Sequence, residues 1–148
     1  MDLRPRSLSA LSDLRYTYSV TEDGSVLVVA FSGSYGVGSL GNNDGTFISA
    51  VTVAGLIAFG RGCLVLDFTD MDYTWGNTLL KVFDDIRQYK DEPGEPAYPV
   101  LVVTSDRSRE AFLSLVGKTE VTAKEWHFRD IVSAIQAARA AARRWYDL

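Results

Sequence analysis

The 148-residue chain predicts a single α/β domain. Three observations carry that expectation. The runs "VLVVAFS", "CLVLDF" and "VLVVT" are continuous and apolar, as strands buried on both faces are. Between them lie segments whose apolar residues recur every three or four positions, the mark of amphipathic helices. The composition, 47% hydrophobic and 23% charged, is that of a folded globular protein. The expected order is β-β-α-β-α-β-α-(β)-α, with a mainly parallel or mixed sheet of about four to five strands covered by helices.

Residues 1–12, with Pro5 and several serines, are expected to be loosely held, and the domain to occupy 13–148. From Leu14 the chain alternates: Leu14, Tyr16, Tyr18 and Val20 share one face of a half-buried strand. "TEDGS" turns at Gly24, and "VLVVAFS" returns as the second arm of a hairpin. The glycine- and asparagine-rich segment 33–45 reads as a loop. Within it Gly36, Gly38 and Gly41 have the G-x-G-x-x-G spacing of a phosphate-binding turn. Two features speak against nucleotide binding: "NNDG" rather than a helix is expected after Gly41, and the preceding strand belongs to a hairpin. A surface loop is the favoured reading.

The segment 46–60 predicts a helix with no charged side chain. A helix apolar on nearly every side needs cover on nearly every side, so a second copy of the chain is expected to pack on or near it. After the strand "CLVLDF", a polar loop leads to a helix starting at Asn77 or Thr78, with Leu79, Val82, Phe83 and Ile86 on its inner face. "KDEPGEPAYP" is a connector and "VLVVT" a strand. Residues 105–117 form a helix stopped by Gly117. The final helix, from about Phe128 to Tyr146, presents Ile131, Ile135, Ala138, Ala142 and Trp145 as one stripe.

Several classes of function are disfavoured. A net charge of −4 is wrong for a protein whose main ligand is nucleic acid. Cys63, alone of its kind, sits in an apolar run as a small buried hydrophobe. His127, the one histidine, stands between aromatics and reads as structural, and no spaced ligand cluster for a metal is present. The uncharged stretch 46–60 is shorter than the roughly 20 residues of a membrane span. The expectation is a cytoplasmic protein with no cofactor.

"LVLDFTDMDYTWGNTLLKVF", "YPVLVVTSDRSREAFLSLVGKTE" and "FRDIVSAIQAA" together resemble the STAS domain of bacterial anti-sigma-factor antagonists and sulfate transporter tails. The resemblance spans roughly residues 14–142. It implies a non-catalytic regulatory module that binds a protein partner through the loop after the third strand. In that register Trp75 stands at the family's aspartate, Gly76 at its phosphoacceptor serine and Asn77 at the next position, so the usual phosphorylation does not carry over; Thr74 and Thr78 flank the loop. The expected interaction surface is Asp70, Asp72, Tyr73, Thr74, Trp75, Gly76, Asn77 and Thr78. Gly76 allows a tight turn and Asn77 caps the helix. Trp75 is either an exposed anchor or a plug beneath residues 36–45.

An enzyme is the alternative. Asp67, Asp70 and Asp72 offer carboxylates for acid–base work, although Asp70 and Asp72 also read as solvated turn residues. "LDFTDMDYTWGN" bears a weaker similarity to a ββα unit of the crotonase and Clp-protease type, which would use the 70–78 loop as an oxyanion-binding turn. A nucleotide-binding module at the same helix N-terminus is a third reading.

Overall fold

The computed structural model describes residues 1–147. Five strands, β1 (Arg15–Val20), β2 (Val26–Ser34), β3 (Cys63–Asp72), β4 (Val100–Val103) and β5 (His127–Phe128), form one sheet in the order β1-β2-β3-β4-β5. β1 runs antiparallel to β2, and the remaining pairs are parallel. Four helices accompany them: α1 (Asn42–Phe59), α2 (Leu80–Lys90), α3 (Arg109–Val116) and α4 (Ile131–Tyr146).

The alternation of side chains along the strands sorts the core into two layers. Leu27, Val29 and Phe31 of β2 and Leu64, Leu66 and Phe68 of β3 face α1, α2 and α3, which contribute Phe47, Ile48, Val82, Ile86 and Phe112. Val26, Cys63, Val65, Leu101 and Val103 face the other way, toward alanines of α4. Asp130 caps α4, accepting the Ser133 N–H at 2.8 Å. Gly117 ends α3 in the left-handed conformation at φ +66°.

The structure moves several expected boundaries. β3 continues through Asp72 because β2 also runs on to Ser34, past an irregularity between Ala30 and Ser32, and pairs Ser32 with Asp70 and Ser34 with Asp72. Asp70 and Asp72 are therefore strand residues, not turn residues. α1 starts at Asn42, directly after Gly41, where Asp44 in its first turn accepts the Gly36 N–H at 2.7 Å. α2 starts at Leu80, later than expected, because a tight turn intervenes in which the Asn77 carbonyl accepts the Leu80 N–H. No side chain caps α2, so the expected Asn77 cap is absent. α3 likewise begins at Arg109 after a turn. On α4 the buried stripe is Ala134, Ala138, Ala141 and Ala142; Ile131 is at the surface, and Trp145 packs edge-on against Tyr98 at 5.4 Å. The single-strand setting of β3, between two parallel neighbours, is also not the ββα unit that the crotonase similarity required.

Candidate functional site

The segments after β2, β3 and β4 meet beyond the C-terminal ends of the parallel strands, the customary ligand side of an open α/β sheet. Between the 73–79 loop and α3 they leave an open groove of about 930 Å³, bordered by Gly38, Trp75, Leu80, Arg107, Glu110 and Leu115 among others.

Asp72 ends β3 and ties this region together. Its carbonyl accepts the Tyr35 N–H at 2.8 Å. Its carboxylate receives two hydrogen bonds from Arg107, from Nε at 2.7 Å and from Nη2 at 3.0 Å. The Arg107 carbonyl in turn accepts the Tyr73 N–H at 3.1 Å, and Arg107 Nη1 lies 3.9 Å from Asp70. Hydrogen bonding from the guanidinium holds the Asp72 carboxyl below the usual carboxylate range and raises Arg107 in return. A carboxyl held ionised in this way is poorly suited to act as a general acid.

Beneath the loop, two tyrosines act as braces. Tyr73 is buried and donates its hydroxyl to the Gly76 carbonyl. Its ring meets Tyr35 edge-on at 5.3 Å, and the Tyr35 and Thr78 hydroxyls lie 2.7 Å apart. Burial pushes both phenols up to about 12. Thr74 and Asn77 remain exposed, and Thr78 is half-buried.

Trp75 is 66% exposed, so it is not a plug. Its ring lies over Gly38, where a side-chain Cβ would come within 2.6 Å of Cζ3. Gly38, at φ +58°, donates its N–H to the Trp75 carbonyl at 3.3 Å. Gly76, at φ +122°, makes the turn expected of it, in close contact with the Gly38 backbone.

The two predicted segments are thus one surface, but the glycine spacing has a different use from phosphate binding. Of the two sequence arguments against a fingerprint, one fails, because a helix does follow Gly41; the other holds in that β2 forms a hairpin with β1, although β2 also opens the parallel crossover β2–α1–β3. The loop is nevertheless filled from within. Asp44 occupies the start of α1, accepting the Ser12 hydroxyl at 2.5 Å as well as the Gly36 N–H. A Cβ at Gly41 would lie 2.5 Å from the Tyr35 ring and 2.7 Å from the Thr78 hydroxyl. The glycines make room for this packing, and a fixed carboxylate stands where a phosphate would need N–H groups.

The sequence reading missed the third side of the groove: Arg107, Asp106 and the outward stripe of α3. The available signal was topological, since loops following adjacent parallel strands converge. His127 and Cys63 stand in the interior of the fold. His127 stacks on Phe112 at 5.7 Å with Nε2 2.7 Å from the Thr104 hydroxyl, and burial lowers its pKa. The Cys63 thiol is pushed up to about 12 by burial.

No family model and no curated protein matches the sequence. Among solved structures, an anti-sigma factor antagonist from Mycobacterium paratuberculosis matches 85% of this chain and 94% of its own, with a TM-score of 0.56 and 18% identity. The fold is STAS-like. Among the described residues no helix is long and apolar enough to cross a membrane.

Proposed function

We propose that the chain is a non-catalytic regulatory module that docks a protein partner on the surface around Trp75, as the name of its structural neighbour suggests, and that it works in the bacterial cytoplasm. The observation that supports this most is Trp75 itself: a large aromatic, 66% exposed, on a loop braced by Tyr73 and the Arg107–Asp72 pair at the rim of a groove. Aromatic anchors of this kind dominate binding energy at interfaces. The reading includes no phosphoacceptor serine, because Gly76 stands at that position. The Thr78 hydroxyl is engaged by Tyr35, which leaves Thr74 as the exposed hydroxyl of the loop.

Trp75→Ala tests this docking surface. Burying the ring in a partner is worth on the order of 2 kcal/mol, so affinity for partners captured by the parent protein and identified by mass spectrometry should fall at least about tenfold. The melting temperature should hold. A large loss of thermal stability, or undiminished capture, would overturn the assignment.

A second copy of the chain is proposed at the far end of α1. Ile57 is 68% and Phe59 40% exposed there, and Phe59 lies 5.5 Å from Tyr18 of the edge strand β1. Phe47 and Val51, by contrast, are covered within one chain, so the contact area rests on the C-terminal turn of α1 and on β1 rather than on the whole helix.

A further inference from the structure

We infer that β1 pairs edge to edge with β1 of a second copy, antiparallel and centred on Tyr18, so that two five-stranded sheets become one. The inference rests on the second-copy reading above and gives that contact its geometry.

The backbone supplies the first argument. The Thr21 N–H donates to the Val26 carbonyl at 3.1 Å, directly across the register that pairs Val20 with Leu27. Hydrogen-bonded and non-hydrogen-bonded pairs alternate along an antiparallel ladder, so Arg15, Thr17 and Ser19 turn their N–H and carbonyl groups toward β2. Those of Tyr16, Tyr18 and Val20 turn outward, where the sheet has no further strand and nothing among the described residues bonds them. Natural sheet edges are guarded by shortness, lysine, proline or a bulge. β5, the other edge, is only two residues long. β1 has six residues in unbroken register with β2 and contains neither lysine nor proline.

Self-complementarity names the occupant. With Tyr18 on a two-fold axis, every outward residue finds an outward residue: Tyr18 meets Tyr18 of the second copy, and Tyr16 meets its Val20. Each such pair exchanges two N–H···O bonds. On the α1 side, Tyr16 and Tyr18 already pack edge-on at 5.3 Å, and Tyr18 lies 5.5 Å from Phe59. Tyr16 and Val20 are still 44% and 36% exposed, and an aromatic opposite a β-branched residue is a favourable cross-strand pair. On the other face the same register sets Thr17 opposite Ser19, both exposed hydroxyls. Charge agrees as well. α1 has no charged side chain from Thr46 to Phe59 that the contact would bury. Arg15, which makes no ion pair among the described residues of its own chain, comes beside the turn of the second copy that bears Glu22 and Asp23. An unrelated strand would need this pattern by coincidence, whereas a second copy has it by symmetry.

Sedimentation of two charge variants tests the register. Thr17→Lys/Ser19→Lys sets like charges against each other across the seam, so it should sediment as a single chain at a concentration where the parent is paired. Thr17→Lys/Ser19→Glu sets opposite charges there and should stay paired. A covalent check uses Thr17→Cys and Ser19→Cys, prepared separately, mixed and oxidised with diamide. Opposed residues of a non-hydrogen-bonded pair have Cα atoms about 4.5 Å apart, within disulfide range. The mixture should therefore cross-link and neither protein alone should, the native Cys63 being buried. Identical sedimentation of the two charge variants, or no cross-link in the mixture, would overturn the inference. If Ile57→Lys alone then separates the copies, the contact at the end of α1 stands without strand pairing. A parent protein that sediments as a monomer removes both.

Discussion

Tyr35 and Tyr73 hold the candidate surface in shape through groups that ionise only at extreme pH. Each phenol is raised from about 10 toward 12 by burial, so the folded state favours the neutral form. The resulting stability is complete below pH ~10 and is lost as pH climbs through ~12. Tyr98 and Tyr18 shift in the same direction, again mainly through burial. An absorbance titration should therefore show only part of the seven tyrosines ionised at pH 11, and the full phenolate signal on unfolding in denaturant at that pH. Simultaneous ionisation of all seven in the folded protein would contradict the bracing arrangement. The same residues show what a sequence displays and what it withholds. The spacing of Gly36, Gly38 and Gly41 is plain in the chain. That the space they leave is taken by a tryptophan edge and a tyrosine ring depends on residues as many as 37 positions away, which no local pattern encodes.

Among the elements, those with a strong internal period were readable. The inner face of α2 is Val82, Phe83 and Ile86, with Leu79 buried just ahead of it, as expected, because a surface helix must put its apolar stripe inward. The apolar cores of β2, β3 and β4 were equally visible. The polar end of β3 was not: Thr69 to Asp72 has the composition of a loop and becomes strand only because β2 lies alongside it. α4 was visible in part. Ala138 and Ala142 face the sheet as expected, joined by Ala134 and Ala141, while Ile135 is only partly buried against this layer and Ile131 is at the surface; small side chains let the helix axis come close to Val26, Val65 and Val103. Ala138→Leu should therefore overpack this layer and cost about 1–3 kcal/mol in chemical denaturation, whereas Val132→Ala, on the exposed side, should be near neutral. Equal behaviour of the two variants would mean α4 sits in another rotation.

At the scale of the whole molecule, one group of exposed apolar residues bears on the proposed second copy. Ile57, Phe59, Tyr16 and Val20 belong to the α1 end and the edge strand β1, away from the Trp75 groove. Sedimentation at micromolar concentration should show a species larger than one chain, and Ile57→Lys should return it to the monomer without disturbing Trp75-dependent binding. A parent protein that sediments as a monomer throughout would remove the proposed contact. The two proposed surfaces lie apart, so the two tests are independent of one another.

The uninterrupted strand order has a bearing on how the chain comes into being. Every strand lies beside the one that precedes it in the chain, so a growing polypeptide can extend its sheet one edge at a time without waiting for a distant segment. The three loops of the groove follow β2, β3 and β4 and are in hand once α3 has formed. The far side is a different matter. Val26, Cys63, Val65, Leu101 and Val103 are laid down first and remain bare to water until α4 arrives after all five strands. The nascent protein thus completes the candidate surface while its other face is still apolar and uncovered, and that interval is when it most needs a chaperone's cover.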